Sequence, residues 1–298
     1  MTYSIVARDA QTGDLGVAVQ SHWFSVGSVV TWAESGVGAI ATQSIAEPAY
    51  GPRGLALMRL GVDPATALAA LTSADSDQRH RQVAFVDAAG RVAVHTGDQC
   101  IEAAGHVTDD GVSCQANMMR GPQVWPAMLE AYRASSGDLA DRLMAALDAA
   151  ETAGGDIRGR QSAAMLIVKA SSSVQPWQDR IVDLRVDDAQ DPLGELRRLL
   201  SVHRGYQCME IAEQRQVAGD TSGSLEAYEQ ARTLLTGNDE ATFWTAILMA
   251  GAGRVEEGKA LLADIASREP GWRELLQRLP AAGLLSNGEA MVTRLLGS

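Results

Sequence analysis

The first half of the chain alternates short apolar, β-branched runs with turn residues. Two such runs, at 3–8 and 14–20, flank a predicted hairpin turn of about five residues at 10–14. Further strands are predicted at positions 37–42, 82–87, 91–95, 112–115, 162–169 and 181–186. Hairpins of this kind are typical of antiparallel sheets.

Apolar residues at helical spacing predict four helices among these strands. They lie at 54–60, 64–72, 122–133 and 137–153. Asp63 is the predicted N-cap of the second helix, and Pro64 occupies its first position. Runs of strands followed by helix pairs favour an α+β fold over an alternating parallel wind.

The character of the chain changes after about residue 192, where no convincing strand is found. A helical pattern at 224–235 follows a Gly-Asp pair, and a second at 256–266 follows Gly253 and Arg254, 34 residues later. Thirty-four residues is the period of tetratricopeptide repeats. We therefore predict a main domain at 1–200 and a tetratricopeptide-like domain of helical hairpins at 201–298, with too few repeats to stand alone.

Composition narrows the classes of function. A net charge of −12 argues against nucleic acid and anionic membrane surfaces as partners. No apolar run is long enough to span a membrane, no secretory signal is found, and the three cysteines are not spaced for metal or disulfides. We expect a cytoplasmic protein without metal or cofactor, since histidine pairs and phosphate-binding loops are also missing from the sequence.

Thr2 is the first candidate for chemistry because it directly follows Met1. An initiator methionine before a small residue is usually removed, which leaves a hydroxyl and a free α-amine on the same residue. An α-amine has a pKa near ~8, so part of it is unprotonated at neutral pH and acts as the base for its own hydroxyl. The alternative is that Thr2 merely begins an edge strand.

Residues 1 to about 200 resemble DUF1028, a bacterial family of putative N-terminal-nucleophile (Ntn) hydrolases. The resemblance is carried by the stretches 4–9, 15–21, 36–43, 48–54, 81–83, 115–118, 155–162 and 183–188. The first strand is also similar to that of the asparaginase and glycosylasparaginase branch of Ntn hydrolases. The resemblance implies a four-layer αββα sandwich, in which two sheets pack face to face between helix pairs.

Three residues are candidates for catalysis. Thr2 would attack a carbonyl and pass its proton to its own amine. Ser21 would hold Thr2 in attack geometry, or it caps a turn at the end of a strand. Asn117 would donate from its amide to a developing oxyanion, in company with backbone N–H groups, or it is a common turn asparagine.

Six further residues are candidates for holding substrate. Gln43 ends an apolar run and would be costly unless its amide is paired. Arg53 lies within the predicted turn at 50–54, which leads into a helix, and would bind a carboxylate, or it has a structural role. Within the polar cluster 154–162, the Ntn resemblance implies that Asp156 and Ser162 lie close to the N-terminal threonine. Arg158 and Arg160 would hold an acidic substrate, or one of them pairs with Asp156.

The residues and the resemblance together predict an Ntn-type hydrolase. It would cleave an amide carbon–nitrogen bond in a small molecule or peptide, with Thr2 as nucleophile. The alternative is a catalytically inactive Ntn-like scaffold whose helical domain binds a partner or forms a dimer. We expect a homo-oligomer in either case.

Overall fold

The computed structural model describes residues 2–173, 175–285 and 287–297. Packing divides the chain into two compact units, Met1–Arg198 and Leu199–Ser298, and the division falls within one long helix. The first unit contains two antiparallel sheets with helices, and the second is helical. The predicted α+β class and the helical character of the C-terminal part are confirmed. Of the helices in the described ranges, none is both long and apolar enough to cross a membrane.

Ten strands and ten α-helices occupy the described residues. The strands are β1 Thr2–Arg8, β2 Leu15–Ser21, β3 Thr31–Glu34, β4 Gly38–Ser44, β5 Arg81–Asp87, β6 Val92–Thr96, β7 Gly105–Asp109, β8 Val112–Asn117, β9 Ser162–Val168 and β10 Arg180–Val186. The helices are α1 Tyr50–Arg59, α2 Pro64–Ser73, α3 Val124–Ala134, α4 Leu139–Thr152, α5 Pro192–Val217, α6 Thr221–Leu234, α7 Glu240–Gly251, α8 Val255–Arg268, α9 Gly271–Arg278 and α10 Gly288–Leu296.

Sheet A is the six-stranded sheet, with the strand order β10-β9-β2-β1-β8-β7. Strand β1 is hydrogen-bonded to β2 on one side and to β8 on the other, both antiparallel. The interpretation of Thr2 as the start of an edge strand is therefore wrong, because β1 lies in the interior of the sheet.

Sheet B is the four-stranded sheet, with the order β3-β4-β5-β6. Side chains of both sheets form one apolar core between them, including Val17 and Leu166 from sheet A and Ala39 and Ala41 from sheet B. Side chains alternate between the two faces of a strand, so Ile40 points away from this core and packs with Tyr50 of α1 instead.

Helix pairs cover the outer faces of both sheets. Helices α1 and α2 pack on sheet B, and α3 and α4 pack on sheet A. Gly16 of β2 allows α4 to approach closely, because a Cβ there would lie 2.9 Å from Leu143. The first unit is thus layered as helices, sheet B, sheet A and helices.

Helix α1 begins earlier than the sequence predicts. Residues 50–54 were expected to form a turn, but α1 starts at Tyr50 and includes them. A Cβ at Gly51 would lie 2.3 Å from the Trp32 ring, and one at Gly54 would lie 2.5 Å from Phe85. These glycines serve close helix–sheet contact rather than a turn.

The start of α2 is as predicted, whereas two strands were not foreseen. The Asp63 carboxylate accepts from the N–H groups of Ala65 and Thr66, with Pro64 at the first helical position. Strands β3 and β7 are short edge strands with mostly half-buried or exposed residues, so they lack the apolar runs that marked the others.

The second unit is built from packed helices around an apolar core that includes Phe243, Leu262 and Leu276. Helices α6 and α8 begin at Thr221 and Val255, 34 positions apart. Helices α7 and α8 approach closely at Gly258, where a Cβ would lie 2.5 Å from the Ala246 carbonyl oxygen.

Candidate active site

One row across sheet A carries four of the residues selected from the sequence. Strand pairing sets Asn117 opposite Thr2, Thr2 opposite Ser21, and Ser21 opposite Ser162. Directly opposed residues point to the same face of a sheet, with Cβ atoms about 5 Å apart. Segments from three distant parts of the chain therefore bring an amide and three hydroxyls into one line at the end of β1.

The Thr2 hydroxyl is buried and hydrogen-bonded within this row. Its Oγ1 lies 3.0 Å from the Oγ of Ser21, and either group can donate. The side chain of Thr2 is on the face that packs against sheet B, because Ser4, two positions along β1, donates to Gln43 of sheet B. Met1 lies outside the described residues.

A buried network of amides supports the row from between the sheets. Gln43 donates from Nε2 to Gln82 Oε1 at 2.7 Å and to the Thr2 carbonyl oxygen at 3.3 Å, and its Oε1 accepts from Ser4 at 2.6 Å. Ser4 in turn accepts from Gln115 Nε2 at 2.7 Å. Burial without partners would be costly, so this pairing explains how amides are tolerated between two sheets.

Gln82 anchors the other side of the network. Its Nε2 donates to Thr96 Oγ1, to the Gly105 carbonyl and to the Ala116 carbonyl at 2.9, 3.2 and 3.0 Å. Two backbone carbonyls around this nitrogen fix the orientation of the amide, and Gln82 Oε1 is therefore an acceptor for Gln43 and Asn117.

Asn117 is engaged as a donor but not as an acceptor. Its Nδ2 donates to Gln82 Oε1 at 3.0 Å and to the Thr2 carbonyl oxygen at 3.4 Å. Among the described residues, its buried Oδ1 has no hydrogen-bond partner. The amide nitrogen that the sequence analysis assigns to an oxyanion is thus already occupied, the longer bond being the weaker one.

Asp156 and Arg158 form an ion pair beside this row. The Asp156 carboxylate is fully buried and accepts hydrogen bonds from Arg158 Nη2 at 2.9 Å and from Arg158 Nε at 3.2 Å. It also accepts from the backbone N–H of His22 at 3.3 Å, directly after β2. The sequence left open whether Asp156 pairs with Arg158 or Arg160, and in the structure it pairs with Arg158.

Ser162 holds the loop that follows β2. Its hydroxyl donates to the Trp23 carbonyl oxygen at 2.5 Å and accepts from the Val26 N–H at 3.1 Å. Ser25, within the same loop, donates to the Asp187 carboxylate at 2.7 Å. Ser162 thus positions a wall of the site.

A cavity of about 340 Å³ opens above Thr2. This volume lies at the lower end of the range usual for small-molecule sites. Its lining residues are Thr2, Trp23, Val26, Val29, Val30, Gln43, Ser44, Ile45, Ala46 and Arg158.

Backbone strain gathers around the cavity. Ser25, Ser44 and Met118 have φ values of 53°, 75° and 56°, which side-chain-bearing residues rarely adopt. Within the described ranges, the other such residue is Asn287 of the helical unit. Strained residues of this kind tend to cluster at functional sites, where the surrounding structure holds them in place.

Arg53 and Arg160 lie away from the Thr2 cavity. Arg53 lines a separate cavity of about 240 Å³ with Glu47, Tyr50 and Asp75 among its other residues. Arg160 pairs with Asp191 at 3.1 Å and with Glu151 at 3.8 Å.

Glu151, the partner of Arg160, lies in α4, which covers the outer face of sheet A. It accepts from the Tyr3 hydroxyl at 2.7 Å, and burial together with this carboxylate raises the pKa of Tyr3 well above its usual value. Tyr3 and Thr2 are neighbours in β1 and point to opposite faces. Arg160 is thus held on the face opposite the Thr2 hydroxyl.

Several residues of the site were not selected from the sequence. They are Ser4, Gln82, Gln115 and the apolar residues that line the cavity. A signal was present for Gln115, because it stands in a strand between the apolar residues Cys114 and Ala116, whereas Gln82 follows Arg81 at the start of β5. The wall residues could not be assigned because they lie in a loop with no regular pattern.

Nothing in the described residues forms a metal site. They contain no group of three or more His, Cys, Asp or Glu side chains that could hold an ion. The site chemistry available in this part of the chain is that of hydroxyls, amides and one ion pair.

Comparisons with known proteins agree with the sequence resemblance. A family model described as "Family of unknown function (DUF1028)" matches residues 2–196. The chain is similar to the crystal structure of protein SPO2555 from Silicibacter pomeroyi, a DUF1028 protein, at 34% identity and a TM-score of 0.60. That match covers 67% of this chain and 87% of the other. No match was found among curated proteins.

Proposed function

This chain belongs to DUF1028, a family of unknown function, and we propose that it is an Ntn-type hydrolase that cleaves an amide bond with Thr2. On this proposal, the layered first unit is an Ntn-hydrolase-like αββα sandwich, and removal of Met1 activates the site. The substrate is a small molecule or peptide, and the enzyme works in the cytoplasm.

The row formed by Asn117, Thr2, Ser21 and Ser162 is the observation that carries this proposal. It places a buried hydroxyl at the head of an interior strand, 3.0 Å from a second hydroxyl and at the floor of a cavity. A purely structural threonine needs neither the cavity nor the strained residues around it.

The proposed reaction has two steps. Thr2 Oγ1 bonds to the carbonyl carbon while its proton passes to the Thr2 α-amine. The carbon–nitrogen bond then breaks, and the amine returns that proton to the leaving nitrogen, which leaves an acyl ester on Thr2. In the second step a water molecule bonds to the ester carbonyl carbon and gives a proton to the α-amine. The bond between this carbon and Thr2 Oγ1 then breaks, the α-amine returns the proton to Oγ1, and the acyl group leaves as a carboxylic acid.

The neighbouring residues hold Thr2 rather than react themselves. Ser21 orients the hydroxyl, and Gln43 and Asn117 fix the Thr2 carbonyl group from two sides. The Asn117 Oδ1 atom is a buried acceptor that lacks a donor in the described residues, and the freed α-amine supplies a donor of the kind required. Backbone N–H groups then stabilise the oxyanion.

Acylation of Thr2 tests this proposal. Protein with a free Thr2 is treated with p-nitrophenyl acetate, and peptide mapping by mass spectrometry locates the acetyl group. We expect an ester-linked acetyl group on the side chain at position 2 in the wild type and in Thr2→Ser, and no ester-linked acetyl group there in Thr2→Ala. Acetylation that is equal in Thr2→Ala and spread over surface residues would contradict the proposal.

A second candidate function concerns the helical unit. A groove of about 520 Å³ is lined by Tyr228, Trp244, Leu284 and other mostly apolar residues. This groove supports the alternative of an inactive Ntn-like scaffold with a tetratricopeptide-like domain that binds a partner or forms a dimer. Sedimentation of wild type and Trp244→Glu tests whether this groove forms a dimer contact. The acylation test above separates the two candidates, since an inactive scaffold would not be acylated at Thr2.

A further inference from the structure

The cavity above Thr2 has a composition that selects its ligand. Six of its ten lining residues are apolar. They are Trp23, Val26, Val29, Val30, Ile45 and Ala46. The apolar residues come from the loop after β2 and from the chain just beyond β4, so two continuous segments, rather than scattered residues, form the apolar walls of the cavity.

Two polar residues of the cavity, Gln43 and Arg158, are already paired. The side-chain nitrogen of Gln43 donates to three acceptors, and its side-chain oxygen accepts from the Ser4 hydroxyl. Both ends of the Gln43 amide are therefore used. The charge of Arg158 is compensated by the fully buried Asp156 carboxylate at 2.9 Å. A charged ligand group placed between the walls would lose its water without gaining a matched partner.

Apolar side chains also surround the mouth of the cavity. Trp23 and Phe24 are 60% and 64% exposed, and Ile45 and Ile157 are each more than half exposed. Trp23 and Ile45 line the cavity itself, and Phe24 and Ile157 are sequence neighbours of lining residues. An exposed apolar group of this kind often marks a ligand-binding site.

The order of the reaction indicates which part of the substrate occupies the walls. The acyl group stays bonded to Thr2 from the first step until water releases it in the second, whereas the amine must leave before water can enter. The acyl group, which stays on Thr2, is suited to the apolar interior of the cavity, and the leaving amine is suited to its open mouth. Resting on the proposed function, we infer that the enzyme acts on amides whose acyl group is an uncharged hydrocarbon chain.

Chain length and charge of the acyl group provide the test. Acylation of Thr2 is timed by intact-mass spectrometry with p-nitrophenyl acetate, butyrate and hexanoate, and with the p-nitrophenyl monoester of succinic acid. We expect the second-order rate to rise about fourfold for each added methylene and to be lowest for the succinyl group. Equal rates, or fastest acylation by the succinyl donor, would overturn the inference while leaving Thr2 as the nucleophile.

Substitutions in the wall link this preference to the cavity. Val29→Asp and Ala46→Leu are expected to lower the hexanoyl-to-acetyl rate ratio at least fivefold, the first by adding charge and the second by filling space. Leu60→Asp, a matched control at an exposed position outside the cavity, should leave the ratio unchanged. An unchanged ratio in both wall variants would also overturn the inference.

Binding to an inactive variant separates the two proposals. Thr2→Ala is titrated calorimetrically with hexanoyl anilide and acetyl anilide. Tighter binding of hexanoyl anilide, at least tenfold, supports the apolar pocket even if no donor acylates Thr2, and in that case only the hydrolase proposal fails. No preference between the two anilides contradicts the inference whether or not the enzyme is active.

Discussion

Thr2 and Ser21 stand directly opposite each other on adjacent interior strands, with their hydroxyl oxygens 3.0 Å apart. Both side chains are buried, so this contact is shielded from bulk water. This hydrogen bond restricts the side-chain rotation of both residues, and for Thr2 the rotamer decides whether its oxygen can reach a substrate.

Removing the Ser21 hydroxyl is expected to slow acylation more than it destabilises the fold. Ser21→Ala leaves Thr2 in place but frees its rotation, and we expect a rate about 10- to 100-fold lower. The free energy of unfolding should fall by only about 1 kcal/mol, the usual contribution of one hydrogen bond. Rate and stability are measured by acetyl transfer and urea unfolding.

Ser73→Ala is the matched control for this loss, because Ser73 is an exposed serine of α2. It should change neither quantity. A Ser21→Ala protein that acylates at the wild-type rate would show that the pair has no positioning role.

The amide network is expected to be important for stability. Gln82→Leu removes the acceptor of Gln43 and Asn117, and it removes a donor from the Thr96 hydroxyl and from two backbone carbonyls. Unpaired buried groups make this costly, and we expect about 2–4 kcal/mol lower free energy of unfolding in urea.

Gln11→Leu, in an exposed turn, serves as the control and should stay within about 0.5 kcal/mol of the wild type. Equal effects of the two substitutions would mean that the network between the sheets adds nothing to stability.

The ion pair beside the site is expected to be sensitive to loss of charge. Asp156→Asn keeps the shape but leaves the Arg158 guanidinium without its carboxylate. Because Arg158 is partly exposed, the loss should be about 1–3 kcal/mol, below that of a fully buried pair. Asp98→Asn breaks the exposed pair with Arg79 and should lower the free energy of unfolding less than Asp156→Asn does. If urea unfolding gives the reverse order, the account of this pair is wrong.

Asp75 gives a prediction for the pH dependence of stability. Its hydrogen bond from Arg81 is the main cause that lowers the pKa of Asp75 to about 2. A carboxyl with a lowered folded-state pKa stabilises the fold above its unfolded pKa of about 3.9, and this stabilisation is lost as pH falls to about 2.

Urea unfolding of wild type and Asp75→Asn between about pH 5 and pH 2 measures this contribution. The difference between the two proteins should shrink as pH falls, because protonated Asp75 resembles asparagine. A difference that stays constant over this range would refute the assignment.

Local patterns made most of the first unit predictable. Strands β1, β2, β5 and β9 are continuous apolar runs, and Asp63 with Pro64 is a clear helix start. The row at the site was only partly predictable. Thr2, Ser21, Asn117 and Ser162 were each selected, but their alignment depends on pairing between β1 and β8 and between β2 and β9, strands far apart in sequence.

Gln82 and Arg53 show the limits of reading single residues. Gln82 received no role because its partners come from β4, β6 and β8, which no local pattern brings together. Arg53 was assigned to the substrate on its residue type, yet the helix that begins at Tyr50 directs it to another cavity. Both outcomes are set by long-range packing.

Whether Met1 is removed decides whether Thr2 can act as the nucleophile of a hydrolase. Intact-mass spectrometry of the protein purified from its native cells, repeated on Thr2→Ala, measures whether Met1 is removed. If Thr2 is the nucleophile, we expect a mass lower than that of the full sequence by one methionine residue. Removal of that residue exposes the α-amine of Thr2. A retained Met1 would leave Thr2 without its base and would contradict the hydrolase mechanism.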